Sequence, residues 1–570
     1  MTFAFRLLTK DQKKYFAFLL FLTVISTFLE IVGIGAIIPL INIIISPDAI
    51  ANNEFLSNIF QNIGISKESF ILLFLIIFLI IFILKSLFLV LLSYVQIRFI
   101  FFISIYFSKK LFFVYLKQPY SFYLNKNSSQ LVRNITTEIG FFANGIYSFL
   151  LVINELLVFF SISLFLLYFE TFSFLIICPI VLIALFFFNY FTKKRNIEWG
   201  KHRQKYEGLR IKTLQESFGG IKDIKIFNIE NYIYNQYSEI NKNQATMNSL
   251  QSFIVTLPRI IFELVAVVGI FILILIIVIN DKNSITLLPT LALFTAAAFR
   301  ILPSLNRLSV SIQNIRFSIP VAKNIYNEIN RPISKKYNSK NQNNFIFEKN
   351  ISLNNISFSY QNNKKLFNNI DLEIKAGEVI GIIGDSGSGK TTLIDILMGI
   401  LEPTSGEITI DGNNINKNLN AWYSNFGYVP QSVFLLDDTI KANIAFGVEE
   451  SKINDSKIHN ALKKSQLFEY VNNLPEGINT KIGERGVKMS GGQRQRLGIA
   501  RCLYFEPSIL FFDEATSSLD LETEELFIKS LNLLKGKTTM IIISHRKSTL
   551  VNCDRILKVE KGRIIKYNNI

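Results

Sequence analysis

Residues 384–392 read GDSGSGKTT, a run with the makings of a phosphate cradle. It fits the pattern G-x-x-x-x-G-K-[ST]. The glycines let backbone N–H groups across Gly384, Asp385, Ser386, Gly387, Ser388 and Gly389 turn toward anionic oxygens. Lys390 adds a charge and Thr391 a hydroxyl suited to Mg2+. A helix opening there, with Thr392 in its first turn, adds a favourable dipole. Farther on, ILFFDE at 509–514 ends an apolar run on two acids. Asp513 is placed to hold Mg2+, and Glu514 to polarise an attacking water. The run SGGQ (Ser490, Gly491, Gly492, Gln493) opens a helix and makes a second anion site. IIISHR places His545 at the end of another apolar run. Such a set could bind and hydrolyse a nucleoside triphosphate.

The elements that must hold these groups are legible nearby. VIGIIG at 379–384 reads as a short buried strand, and TLIDILMGI after the loop reads as a helix. Strand, loop and helix are the context the phosphate pattern requires. From 346 to 570 strands and helices alternate, which predicts an α/β P-loop nucleotide-binding domain.

The first 330 residues are of another kind. The 570-residue chain is 50% hydrophobic and holds 53 phenylalanines, high for a soluble enzyme. Apolar runs at 15–46, 70–104, 143–168, 172–192, 252–280 and 285–308 are each long enough to span a bilayer. Lys and Arg crowd the segments before 15, around 105–140, across 193–250 and after 308, and are sparse in the loops between. The positive-inside rule then predicts a multi-pass membrane protein with both ends in the cytoplasm. The first run is too long for a signal peptide, and no cleavage site is expected after it. The polar stretch 331–345 reads as a linker between a membrane domain at 1–330 and the nucleotide domain at 346–570. Cys178, Cys502 and Cys553 are too scattered for a zinc cluster or a disulfide framework. The formal charge of +17 goes with a general excess of Lys and Asn and is no sign of nucleic-acid binding.

The chain resembles the ATP-binding cassette superfamily, with its motifs in the family's order. Tyr360 in ISFSY is similar to the aromatic residue that stacks on adenine. Gln431 in YVPQ resembles the glutamine that senses Mg2+ and signals to the membrane domain. TKIGERG at 480–486 resembles the exporter element before the signature, and SGGQ is that signature, with Met489 where Leu is commoner. The resemblance implies an exporter-type membrane domain of six all-α spans followed by one cassette. It implies catalytic roles for Glu514 and His545, ATP and Mg2+ as ligands, and Thr391, Gln431 and Asp513 around the metal. It also implies that 118–138 and 216–237 are coupling segments. Each ATP would lie between Lys390 of one subunit and Ser490 of the other, so a homodimer is expected. Six spans exclude the soluble ATPases of the superfamily, and an intact Glu514 argues against a channel or regulatory role.

Charges inside the spans point to cargo. Lys85 and Arg300 lie about 15 residues into their spans, Arg259 about 7, and each falls in the cytoplasmic half of a core about 30 Å thick. Arg307 stands two turns below Arg300. The four cations suit an anionic amphiphile; pairing with Glu263, Glu155 or Glu30 is the structural alternative. LPRIIFE at 257–263, FRILPSLNRL at 299–308, FLE in the first span and the apolar loop at 47–65 resemble bacterial flippases for lipid-linked oligosaccharides. That likeness implies a bacterial inner membrane and a polyprenyl-pyrophosphate glycan as cargo. A lipid A-like glycolipid, a drug or a peptide are the alternatives.

Overall fold

The computed structural model describes residues 2–35, 67–169, 171–279, 284–333, 347–360, 365–516 and 521–567. The loop at 47–65, most of the linker at 331–345 and the run SSLD at 517–520 lie outside them. The chain forms two compact units. One takes Met1–Leu116 and Asn125–Pro332, the other Lys117–Leu124 and Ile333–Ile570.

The first unit is built on six long helices, α1 (Lys10–Gly35), α2 (Lys67–Leu116), α3 (Ile139–Phe169), α4 (Thr171–Gly219), α5 (Glu230–Ile279) and α6 (Ser284–Ile329). Pro179 and Pro258 sit inside α4 and α5, as proline can in a membrane-spanning helix. Among the described residues, the stretches Lys10–Gly33, Leu75–Leu116, Ser128–Tyr168 and Glu230–Ile272 are long and apolar enough to cross a membrane. With its 50 residues, α2 measures roughly 75 Å at 1.5 Å per residue, so it outruns a bilayer core of about 30 Å. Its Leu79, Ile83, Leu87 and Val90 are exposed, a face suited to lipid.

A polar core also joins the helices. Residues Asn134–Glu138 form a π-helical turn just before α3. Asn134, buried, donates to the Tyr115 hydroxyl at 2.8 Å and accepts from Arg133 at 2.9 Å and Asn324 at 3.1 Å. Glu138 is fully buried against Arg203 of α4, with an N–O distance of 2.7 Å. The Arg203 guanidinium lies 3.9 Å from the Phe141 ring centroid. Two ions so deeply desolvated hold together only because each has the other.

The second unit contains two sheets. Strands β1 (Asn350–Phe358), β2 (Phe367–Lys375), β4 (Ser405–Ile410) and β5 (Asn413–Asn414) form an antiparallel sheet in the order β2-β1-β4-β5. The second sheet runs β10-β9-β3-β8-β7-β6, from β3 (Val379–Ile383), β6 (Phe426–Val429), β7 (Ile509–Asp513), β8 (Thr539–Ile543), β9 (Arg555–Glu560) and β10 (Arg563–Tyr567). All its pairings are parallel except β10 with β9. Every residue of β7 and β8 is buried, which is why both read as unbroken apolar runs rather than alternating ones.

The Glu138–Arg203 pair gives the first test. Glu138→Ala leaves Arg203 buried without a counter-charge and should cost on the order of 3 kcal/mol, seen as a lower thermal denaturation midpoint in detergent. Glu138→Leu/Arg203→Leu should recover most of it. A midpoint unchanged in Glu138→Ala removes the pair from its structural role.

A candidate site for ATP binding and hydrolysis

The phosphate loop joins β3 to α7 (Lys390–Leu397). Two glycines are enforced by the turn. Gly384 has φ +153°, and a Cβ there would meet the Val559 carbonyl oxygen at 2.5 Å. Gly389 has φ +106°, and its Cβ would press on the Phe367 ring at 3.0 Å. In the loop so formed, Lys390 is buried and donates to the Gly384 and Asp385 carbonyls at 2.8 and 3.0 Å. Ser388 Oγ is buried without a hydrogen-bond partner, an orphan that a phosphate oxygen would satisfy.

Around the loop lies an open cleft lined by Tyr360, Ser386, Gly387, Gly389, Lys390, Thr391, Thr392, Gln431 and Glu514. Tyr360 follows β1. Its ring stands edge-on to Phe358 at 4.9 Å, and its hydroxyl is 3.0 Å from that of Thr392. The ring is 41% exposed and offers a face for a flat heterocycle.

The two acids at the end of β7 part company. Asp513 is buried and accepts from the Thr391 hydroxyl at 3.4 Å. Burial pushes its carboxyl up, and the Thr391 hydrogen bond opposes that. Burial likewise pushes Asp395, on α7, up to about 6, helped by the charge of Asp513. Glu514 has φ +48°, a left-handed conformation uncommon for a non-glycine residue, while its N–H pairs with the Ile543 carbonyl at 3.1 Å. The turn carries its carboxylate into the cleft. There Gln431 donates to one oxygen at 2.9 Å, and His545 Nε2 lies 3.5 Å from the other.

The signature run stands elsewhere. Ser490 caps α8 (Gly491–Tyr504): its hydroxyl accepts from the Gln493 N–H at 3.2 Å, and its own N–H donates to the Gln493 side chain at 2.9 Å. Among the described residues, none of Ser490, Gly491, Gly492 or Gln493 lines the cleft.

In the membrane unit two of the four expected cations are paired with carboxylates. Arg259 pairs with Glu263 at 2.9 Å, one turn along α5. Arg307 pairs with Glu155 of α3 at 2.6 Å, and the same carboxylate accepts from Ser304 at 2.6 Å. Glu155 is 2% exposed while the Arg307 side chain is 43% exposed, so the pair is anchored on one side only. The Lys85 ammonium lies 5.0 Å from the Phe82 ring centroid and packs beside Gly33 of α1. Arg300 is on α6, but its side chain is outside the described residues. Ser304 was not singled out in the sequence; its one signal is a place one turn from Arg307.

The profile for the ABC transporter transmembrane region matches residues 16–302, and that for the ABC transporter nucleotide domain matches 367–517. This chain therefore belongs to the ABC transporter family. Its order of one membrane region and one cassette is that of a half-transporter, which couples ATP hydrolysis to transport across a membrane. An ATP-dependent lipid A-core flippase of Ralstonia nicotianae is 29% identical over 461 residues, covering 79% of this chain and 76% of that one. A multidrug resistance ABC transporter ATP-binding and permease protein of Lactococcus lactis is 42% identical over 218 residues, covering 38% and 37%. The structure of a bacterial Atm1-family ABC exporter with ATP bound superposes with a TM-score of 0.79 at 21% identity, over 97% of this chain and 94% of that one, a likeness of fold.

The cleft makes separable predictions. Glu514→Gln should still bind ATP and lose at least about a hundredfold in phosphate release. Tyr360→Ala should weaken ATP binding about tenfold and leave kcat near the parental value. Near-normal turnover in Glu514→Gln would remove that carboxylate from the chemistry.

Proposed function

We propose that the protein works as a homodimer in a bacterial inner membrane, both termini cytoplasmic, and uses MgATP to move a phosphorylated glycolipid out of the cytoplasmic leaflet. A lipid-linked oligosaccharide is the preferred cargo. The observation that carries the chemistry is Glu514 held between Gln431 and His545 at the mouth of the phosphate-loop cleft.

In this reading Lys390 exchanges its loop carbonyls for the β- and γ-phosphate oxygens, and the N–H groups from 384 to 389 and Ser388 Oγ complete the cradle. Tyr360 stacks on adenine. Thr391 and Asp513 supply an all-oxygen donor pair, the hard set that suits Mg2+, with phosphate oxygens and water completing the shell. Once bound, Mg2+ neutralises the charge that develops on the phosphates. Gln431 and His545 fix both oxygens of Glu514, so its carboxylate is aimed before water enters. Water attacks the γ-phosphorus, the bond to ADP breaks, and the water's proton is drawn toward Glu514.

The dimer reading is supported by what each subunit leaves open. Among the described residues the 490–493 run lines no part of the cleft; the Ser490 and Gln493 N–H groups are taken up in the cap, and those of Gly491 and Gly492 at the start of α8 would face a second subunit's nucleotide. Around the short helix Ile221–Phe227, in the expected coupling segment 216–237, Phe218, Ile226 and Phe227 are 72, 65 and 70% exposed. These apolar residues suit a docking surface on the other subunit.

For the cargo, the flippase relatives and the half-exposed Arg307 point the same way. With Glu155 buried beneath it, Arg307 keeps guanidinium N–H groups available for a phosphate at modest desolvation cost.

Mixing Lys390→Ala subunits with Ser490→Arg subunits should restore up to one active site per heterodimer, while each parent homodimer is inactive. Full-rate hydrolysis by a monodisperse monomer overturns the shared site. For the cargo, Glu155→Gln/Arg307→Gln avoids stranding a buried acid. In nanodiscs it should keep the basal ATPase rate and lose stimulation by a polyprenyl-pyrophosphate glycan and by lipid A-core alike. Parental flipping of both lipids would exclude Arg307 as a head-group contact. Stimulation of the parent by lipid A-core alone would replace the oligosaccharide reading.

A further inference from the structure

We propose that Glu524 is a positioning residue for ATP hydrolysis, one that aims His545 at Glu514 without touching nucleotide itself. It stands in the first turn of α9 (Leu521–Leu534) and is 3% exposed, in a cassette whose other buried acid, Asp513, already has a task. Its carboxylate gathers three donors from one short stretch. Arg546 and Ser548 donate to it at close range, and the Thr549 hydroxyl lies 3.4 Å away. These residues immediately follow His545 and lead into and through the helical turn α10 (Lys547–Leu550).

His545 has little else to hold it. Its side chain is 52% exposed, and among the described residues its one polar contact is Glu514, at 3.5 Å. Its direction is therefore set by the backbone on either side. On one side Ser544 is tied to β3, its N–H donating to the Ile382 carbonyl at 3.4 Å, and its hydroxyl accepts from the Arg546 N–H at 3.0 Å. On the other side the anchor is Glu524. Three residues, 544–546, bridge β8 and α10 between these two fixed points. If the carboxylate is lost, one point goes, and the imidazole is free to drift from an acid it barely reaches. A displacement of about 1 Å in such an arrangement costs up to about a hundredfold in rate.

A carboxylate buried only to stabilise the fold would be an expensive choice, since apolar residues of like volume commonly do as well. A charge that must grip a guanidinium and two hydroxyls at once is explained by a need to fix their backbone. The inference rests on His545 acting at Glu514, so His545→Ala is measured beside it.

The experiment is a double-mutant cycle on the full-length protein, with ATP turnover, KM for ATP and ADP affinity measured for Glu524→Gln, His545→Ala and the pair. Glu524→Gln should lower kcat about tenfold to a hundredfold, with KM and ADP affinity within about twofold of the parent. Glu524→Asp should recover part of the rate. In the His545→Ala background, Glu524→Gln should cost nothing further, because the two act through one group. Additive losses overturn the proposal, as does a fall in ADP affinity parallel to kcat, which marks a scaffold residue. Parental turnover in Glu524→Gln overturns it too. If His545→Ala keeps its rate, the reading of His545 fails, and this inference with it. If only His545→Ala loses rate, this inference fails alone. Should Glu524→Gln not fold, Ser548→Ala/Thr549→Val keeps the charge pair and removes two donors. The same selective loss of kcat supports the proposal, and a parental rate overturns it.

Discussion

Two carboxylates one residue apart have to face different partners, and the cassette is arranged around that demand. Asp513 ends a wholly buried strand and turns to Thr391 on the phosphate-loop helix. Glu514 must reach the open cleft, and it does so through a left-handed backbone that a side chain enters only at a cost. The parallel neighbours on either side keep the turn from relaxing. Beside β7, strand β8 supplies the Ile543 carbonyl that holds the Glu514 N–H, and the chain just beyond it carries His545. On the other flank β6 leads to Gln431. One sheet order thus delivers three side chains to one point.

The membrane unit meets its demand differently. Some polar groups among these helices are answered within their own helix, as Arg259 is by Glu263, and others by partners on another helix. Glu155 draws on Ser304 and Arg307 of α6, and Glu138 on Arg203 of α4. Each interaction joins residues far apart in sequence, and the two pairs differ in exposure. Arg203 is sealed under Phe141, while Arg307 is half open. The same chemical pair is sealed away in one place and half open in the other.

Much of this was legible in the sequence where the signal is local. The glycines of the phosphate loop announce themselves because the turn places backbone and ring atoms where a Cβ would fall. The strand ILFFD reads as buried because it is apolar on both faces. The Arg259–Glu263 pair follows from a spacing of four on a helix. What stayed hidden was long-range. Glu155 was one of three acids weighed as partners for the span cations, but nothing around Arg307 singles it out from 152 residues away, and nothing shows that Glu138 needs Arg203. The tie from Glu524 to Arg546 and Ser548 was equally silent, because acids in the first turn of a helix are ordinary and favoured by the dipole. A common depth for four cations is an expectation from residue counts alone; the carboxylates that neutralise two of them depend on how helices rotate against one another.

That rotation is governed in part by the wide turn at Asn134–Glu138. A π turn carries one residue more than an α turn, and one residue amounts to about 100° around a helix axis. The face that Ser128–Arg133 presents and the face that α3 presents are therefore out of phase by that amount. Deleting a single residue there would let the helix run on regularly, and it would swing all 31 residues of α3 to a new azimuth, taking Glu155 away from Ser304 and Arg307. Length changes that surface loops absorb without harm are thus forbidden at this turn. The segment keeps its residue count under a constraint that no single side chain expresses.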